Sequence, residues 1–248
     1  MEEIDFGIFE TMRSRNKKII YFNRHLERMR KSAKALGLSI PYSSAEIKRL
    51  IAEAVKQCRA KDVRLRLVLC AGKGKSRLTV SAKKYQPPAP EKYKRGYSVC
   101  ISDLRQAENS FLARLKLVSR IPYELSYRQA KDKNFDEAII LNNRGYICEA
   151  SRSNIFFIKG STLFTPSLEC SCLPGISRRV VFDIAAKNKI PVYEGKFTIA
   201  DLANADAAFL TNSLIGVMPL TKIENKPINK RRPHPLIRLF MHRYASLV

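Results

Sequence analysis

No run of about 18 apolar residues occurs in these 248 residues, so no membrane-spanning helix is expected. The first residues, Met1-Glu2-Glu3-Ile4-Asp5, are acidic and lack an apolar core, which argues against a secretory signal. Six cysteines form no CxxC pair, and none of the three histidines stands at zinc spacing from them. That removes a zinc centre and a dithiol redox motif; the CxC of Cys170 and Cys172 reads as chance placement. Reduced, mostly buried thiols suit a cytoplasmic protein. Acidic side chains are scarce, 22 against 46 Lys and Arg, for a net charge of +24. A basic patch would point to phosphate backbones. Here the basic residues spread along the whole chain, densest at 13–18, 73–84, 92–95 and 230–232, without interleaved aromatics. They read as solvated faces, with no specific nucleic acid expected.

What is present describes a folded protein. A hydrophobic content of 45% and a charged content of 27% are ordinary, and the length holds one large or two small domains. Strands over 5–13 and 18–22 flank a turn at Ser14-Arg15-Asn16. Asn23 caps a helix with Leu26, Met29, Ala33 and Leu36 on one face, ending near Gly37. Ser43-Ser44-Ala45-Glu46 is a capping-box pattern opening a second helix. Val63, Leu65, Leu67 and Leu69 alternate with Arg64, Arg66 and Val68 as a half-exposed strand, and 77–83 repeats that pattern. Gln86-Pro87-Pro88-Ala89-Pro90 is linker chemistry, which divides the chain into domains 1–90 and 91–248. Beyond it, strands are expected over 97–101, 136–141, 146–149, 154–158, 162–165, 191–197, 206–211 and 218–223. Helices are expected over 123–133, 177–187 and 235–247, and no internal repeat is present.

Three segments carry chemistry. Glu149 closes a strand and is followed by Ala150 and Ser151, so nothing bulky shields its carboxylate from a ligand. Gly175-Ile176-Ser177-Arg178 is a tight turn into a helix, where backbone N–H groups and a hydroxyl suit a phosphate. By itself this turn is a weak signal, and a plain N-capped helix is the favoured explanation. Thr211-Asn212-Ser213 follows the apolar run 207–210, a place where polar residues line sites at strand ends.

Taken together and in this order, these segments resemble those of the fold-type IV pyridoxal-phosphate enzymes. That family includes branched-chain aminotransferases, D-amino-acid aminotransferases and 4-amino-4-deoxychorismate lyases. The likeness runs from Phe6 to Ile228. Gly7-Ile8-Phe9-Glu10-Thr11-Met12-Arg13 and His25-Leu26-Glu27-Arg28-Met29 are similar to its N-domain signatures. Asp136-Glu137-Ala138 through Glu149-Ala150-Ser151-Arg152-Ser153-Asn154 is similar to its central block. The resemblance implies an α+β, two-domain fold: a small α/β N-domain and a larger, mixed, β-barrel-like C-domain of the D-amino-acid aminotransferase kind.

It also implies roles. Pyridoxal 5'-phosphate would be the cofactor, and Lys116 matches the family's Schiff-base lysine. Arg28 would bind the phosphate with Ile176, Ser177, Asn212 and Ser213, and Glu149 would pair with the pyridine nitrogen. Leu117 and Ser119 stand where the family usually has Thr or Ser and Asn, and the approach to the first strand is shorter than usual. The segment Asn212-Ser213-Leu214-Ile215-Gly216-Val217-Met218-Pro219 looks like the lyase form of the second phosphate loop. Phe9-Glu10-Thr11-Met12-Arg13 resembles the lyase opening, and Arg120 matches some lyases. The implied reaction is conversion of 4-amino-4-deoxychorismate to 4-aminobenzoate and pyruvate, a step of folate biosynthesis. Phe9, Thr11, Lys73, Lys75 and Arg77 are the candidate substrate contacts for a small dianionic molecule. A homodimer and a functional link to aminodeoxychorismate synthase follow from the same resemblance. Branched-chain or D-amino-acid transamination is the alternative, and basic nucleic-acid binding without catalysis is a more distant one.

Overall fold

Period-two alternation and two amphipathic helices account for the first of two units in the computed structural model, which describes residues 6–72, 75–228 and 234–248. That unit comprises the described residues of Met1–Pro87 together with Leu115–Arg120; the second is Pro88–Arg114 with Ile121–Val248.

In the first unit, β1 (Gly7–Arg15), β2 (Lys18–Ile19), α1 (Phe22–Ala35), α2 (Ser44–Cys58), β3 (Asp62–Cys70) and β4 (Arg77–Lys84) follow in order. The antiparallel sheet runs β2-β1-β3-β4. Ile8 and Met12 of β1 and Val63, Leu65, Leu67 and Leu69 of β3 are buried with Leu26, Met29, Ile47 and Ile51 of the helices. Each such side chain contributes about 1.5–3 kcal/mol, which makes the alternation decisive for register. Asn16 and Lys17 both take left-handed φ values, 49° and 65°, as a tight two-residue hairpin turn requires. The turn therefore lies later than expected: Ser14 and Arg15 stay in β1, paired with Ile19 and Lys18. Nor does Asn23 cap α1, which begins from Tyr21 at φ 52° without a side-chain cap. The Ser43–Glu46 capping box is present, with Ser43 Oγ accepting from the Glu46 N–H at 3.3 Å and Glu46 Oε2 from the Ser43 N–H at 2.8 Å.

Leu115–Arg120 joins this unit by backbone pairing with β1. The Phe9 N–H donates to Lys116 O and the Val118 N–H to Gly7 O, both at 2.8 Å. A single division at 90/91 omits this return, because the pairing partners are far apart in sequence and leave no local mark.

The second unit holds α3 (Pro90–Arg95), β5 (Tyr97–Gln106), α4 (Ile121–Asp132), β6 (Glu137–Asn142), β7 (Ile147–Ala150), β8 (Asn154–Lys159), β9 (Thr162–Pro166), α5 (Ile176–Lys187), β10 (Val192–Gly195), α6 (Ile199–Ala203), β11 (Ala207–Asn212), β12 (Gly216–Ile223), β13 (Lys226–Pro227) and α7 (Pro235–Ser246). Its mixed sheet runs β10-β9-β8-β11-β12-β5-β6-β7, with β13 on β12. Strands β6, β8 and β11 are buried along almost their whole length, as strands covered on both faces must be. Phe156 stacks on Phe209 with ring centroids 5.2 Å apart, on the side away from the cluster of Phe157, Leu210 and Leu220. The last residue of the stretch read as linker, Pro90, opens the helix α3, where proline suits the first turn. Among the described residues no helix is long and apolar enough to cross a membrane.

Candidate active site

The face of β1 turned towards the helices carries one charged residue, Glu10, which is 1% exposed. Arg28 grips it with two parallel bonds, Nε to Oε1 at 2.8 Å and Nη2 to Oε2 at 2.6 Å. His25 Nδ1 lies 2.7 Å from Oε2. Burial alone would raise the Glu10 carboxyl, but the Arg28 guanidinium and the bonds from His25 and Arg28 outweigh it and hold it down to about 2. Burial pushes His25 below its ordinary 6.5 against the pull of Glu10, so the ring is neutral and donates its Nδ1–H. The helix spacing His25, Arg28 puts both side chains over the same point of the strand.

The opposite face of β1 presents Phe9 and Thr11, both half-buried. Lys116 Nζ lies 4.8 Å and the Arg66 guanidinium 4.1 Å from the centre of the Phe9 ring. Burial lowers Arg66 from its ordinary value and the neighbouring Arg64 adds to this. No salt bridge pairs Arg66 among the described residues, and its guanidinium rests on the Phe9 ring. In the sequence Arg66 is one more basic residue of an alternating strand; its parity, on the face opposite the core with its register partner Thr11, was the available signal. Lys75 and Arg77 are exposed at the β3–β4 connection. Lys73 lies outside the described residues.

In the second unit Glu149 is 3% exposed on β7. Asn154, the first residue of β8, donates through Nδ2 to Glu149 Oε2 at 3.0 Å and to Leu173 O at 2.9 Å. Its Oδ1 lies 1.9 Å from where a Cβ on Gly175 would stand, so only glycine lets the turn approach this closely. Gly175 is the N-cap of α5 and offers no side-chain cap, leaving the first-turn N–H groups of Ile176 and Ser177 for another acceptor. At the end of β11, Asn212 Oδ1 accepts from the N–H groups of Leu214 at 2.8 Å and Ile215 at 3.0 Å. Its Nδ2 donates to Arg152 O and to Ser153 Oγ, at 3.2 and 3.0 Å. Ser153 in turn donates to the buried Glu137 at 2.6 Å. Ser213 is half-buried in the same turn. The hydroxyl of Thr211 is buried without a partner among the described residues. An uncapped helix start, a buried carboxylate steadied by an amide, and an orphan hydroxyl form a donor-rich set beside one acid. Such a set fits a phosphorylated heterocycle with a protonated ring nitrogen.

The sequence profile described as "Amino-transferase class IV" matches residues 7–223. The chain belongs to that family. A "Probable branched-chain-amino-acid aminotransferase" of Rickettsia felis is 30% identical over 90% of this chain and 80% of its own. A D-alanine aminotransferase of Listeria monocytogenes is 29% identical over 96% and 85%. Among solved structures, a "Putative 4-amino-4-deoxychorismate lyase" of Legionella pneumophila superposes with a TM-score of 0.90 at 25% identity, covering 98% of this chain and 91% of that one. This class IV aminotransferase family member therefore has the fold-type IV architecture and pyridoxal 5'-phosphate as its cofactor. It is an enzyme of that family, acting on small molecules.

Proposed function

We propose that this class IV enzyme is a lyase that converts 4-amino-4-deoxychorismate to 4-aminobenzoate and pyruvate. The observation that carries the reading is the segment 212–219, similar to the lyase form of the second phosphate loop and folded around the Asn212 amide. The likeness to the Legionella protein supports it. Pyridoxal phosphate supplies an electron sink for the pair left when a proton departs the amine-bearing carbon. Lys116 holds the cofactor and moves that proton. Glu149 keeps the ring nitrogen protonated. Arg28, the N–H groups of Ile176 and Ser177, and Asn212 with Ser213 bind the phosphate. Arg66, beside Phe9 and Thr11, faces a substrate carboxylate, with Lys73, Lys75 and Arg77 as outer cations. The neighbouring ring C–O bond would then break as that electron pair forms the last ring double bond, and the expelled enolpyruvate would take up on carbon the proton that Lys116 removed, giving pyruvate and aromatic 4-aminobenzoate.

A cytoplasmic homodimer working next to the synthase that makes its substrate completes the reading. The exposed side chains of Phe111, Leu112, Ile121 and Leu125 support a covered apolar surface. Transamination of branched-chain or D-amino acids is the second reading, favoured by the names of the Rickettsia and Listeria relatives. Purified protein incubated with pyridoxal phosphate should develop a near-visible absorption band that Lys116→Ala abolishes. With aminodeoxychorismate it should release 4-aminobenzoate and pyruvate in equal amounts. Keto-acid formation from leucine or D-alanine without 4-aminobenzoate release would overturn the lyase in favour of the transaminase.

A further inference from the structure

We propose that Tyr244, on the C-terminal helix beyond the stretch that matches the family, is a positioning residue that sets the Ser177 hydroxyl and the 212–216 turn for the cofactor phosphate. The inference rests on the phosphate-binding roles proposed above for Ser177 and Asn212.

One side chain touches both halves of that cup. The Tyr244 hydroxyl lies 2.7 Å from Ser177 Oγ, in the first turn of α5. Its ring lies against Gly216, where a Cβ would stand 3.0 and 3.1 Å from two ring carbons. Gly216 has φ +66° and closes the turn that Asn212 opens, pairing with Asn212 across the β11–β12 ladder. A larger residue at 216 would meet both the strained backbone and the ring. Tyr93 fastens the same turn from another side, donating to Ile215 O at 2.8 Å. Tyr244 therefore ties the start of α5 to the exit of the second loop.

The hydrogen-bond direction supplies the function. A serine hydroxyl has one hydrogen to donate. If it spent that hydrogen on the tyrosine, it would turn an acceptor lone pair towards a phosphate dianion. A neutral phenol that donates to Ser177 Oγ leaves the serine hydrogen for the phosphate, and the phosphate, which only accepts, selects that arrangement. The chain Tyr244 to Ser177 to phosphate then runs in one direction. The helix does not depend on this bond for its seat: Ile237 and Phe240 are buried on the same face, and the Phe240 ring lies 5.5 Å from that of Phe209.

The test is to titrate the apoprotein with pyridoxal phosphate and with pyridoxal, which lacks the phosphate, following the near-visible band. Wild type, Tyr244→Phe, Ser177→Ala and the double variant are compared. Tyr244→Phe keeps the ring that fills the seat. It should weaken pyridoxal phosphate binding roughly tenfold and leave pyridoxal within about twofold. Ser177→Ala should have a similar effect, and the double variant should be no weaker than either single one, the mark of a shared path. Equal weakening of both ligands would mean packing alone, and multiplied effects would mean independent roles; either result overturns the proposal. A wild-type protein that forms no band with either ligand would overturn the cofactor-site reading beneath it, and that control keeps the two failures distinct.

Discussion

Gly175 is the residue on which the buried acid and the helix start depend together. Replacing it with Ala would place a methyl against Asn154 Oδ1, 1.9 Å from the added carbon. Asn154 must then swing away and break its bonds to Glu149 and Leu173 O. Gly175→Ala is expected to cost about 2–4 kcal/mol, from two buried donors or acceptors left unmet. A lowered urea midpoint with unchanged slope is the measurement; an unchanged midpoint would mean that the turn relaxes at no cost. At this scale the sequence was informative where chemistry is written into a motif. Glu149, Ser177 and Asn212 fall in segments whose order is distinctive. Tyr244 was invisible, because its partners Ser177 and Gly216 lie on other elements and nothing near position 244 marks the contact. Arg66 was hidden by abundance, one cation among 46.

Between β1 and α1, the buried Glu10–His25–Arg28 cluster makes a whole element pair sensitive to acid. The unfolded Glu10 titrates near the ordinary 4.5 of a glutamate and the folded one at about 2, so its contribution is complete above pH 4.5 and is lost as pH falls towards 2. That difference corresponds to about 3 kcal/mol. His25 acts in the same sense at higher pH. Its folded value lies below 6.5, so the unfolded chain takes up a proton first once pH falls under 6.5, and stability drops. Urea midpoints measured from pH 8 to pH 4 should therefore begin to decline below about pH 6.5. His25→Asn should flatten the upper part of that decline while retaining the lower part. Parallel curves for the two proteins would show that His25 is not buried in its neutral form. Elements of this kind were mostly legible from periodicity: the inward residues of β3 and the capping box of α2 follow directly from hydrophobic spacing and capping chemistry. The start of α1 was not, because the helix begins from a left-handed Tyr21 without any side-chain cap, where Asn23 was expected to cap it. Helix α3 was masked by Pro90 at its start and by Pro87 and Pro88 just before it.

Over the whole molecule the charge is distributed by unit. Residues 1–87 with 115–120 hold half of the 46 Lys and Arg but only 8 of the 22 acidic residues. The first unit runs to Pro87, within the proline-rich stretch, and the return of 115–120 to β1 rests on a pairing that leaves no mark in the sequence. On α1 and α2, Arg30, Lys31, Lys34, Lys48, Arg49 and Lys56 are exposed, and Glu27, Glu46 and Glu53 are the acids of those helices. At physiological salt, charges act over about 8 Å, so neighbours one helical turn apart sum their fields while distant ones do not. Such a surface binds polyanions by releasing their counterions, without reading sequence. Duplex DNA of any sequence should bind at about 50 mM salt and lose roughly three orders of magnitude in affinity by about 200 mM, as expected for some six phosphate contacts. Combining Lys31→Gln, Lys34→Gln and Lys48→Gln should lower the slope of log affinity against log salt by about 3, and leave the near-visible cofactor band unchanged. A slope that the triple variant does not alter would move the contacts elsewhere. A preference for one sequence would require base-edge contacts that a field of solvated cations does not supply. Because the band reports the cofactor site and the salt slope reports the surface, the two measurements separate a by-product of net charge from the chemistry of the site.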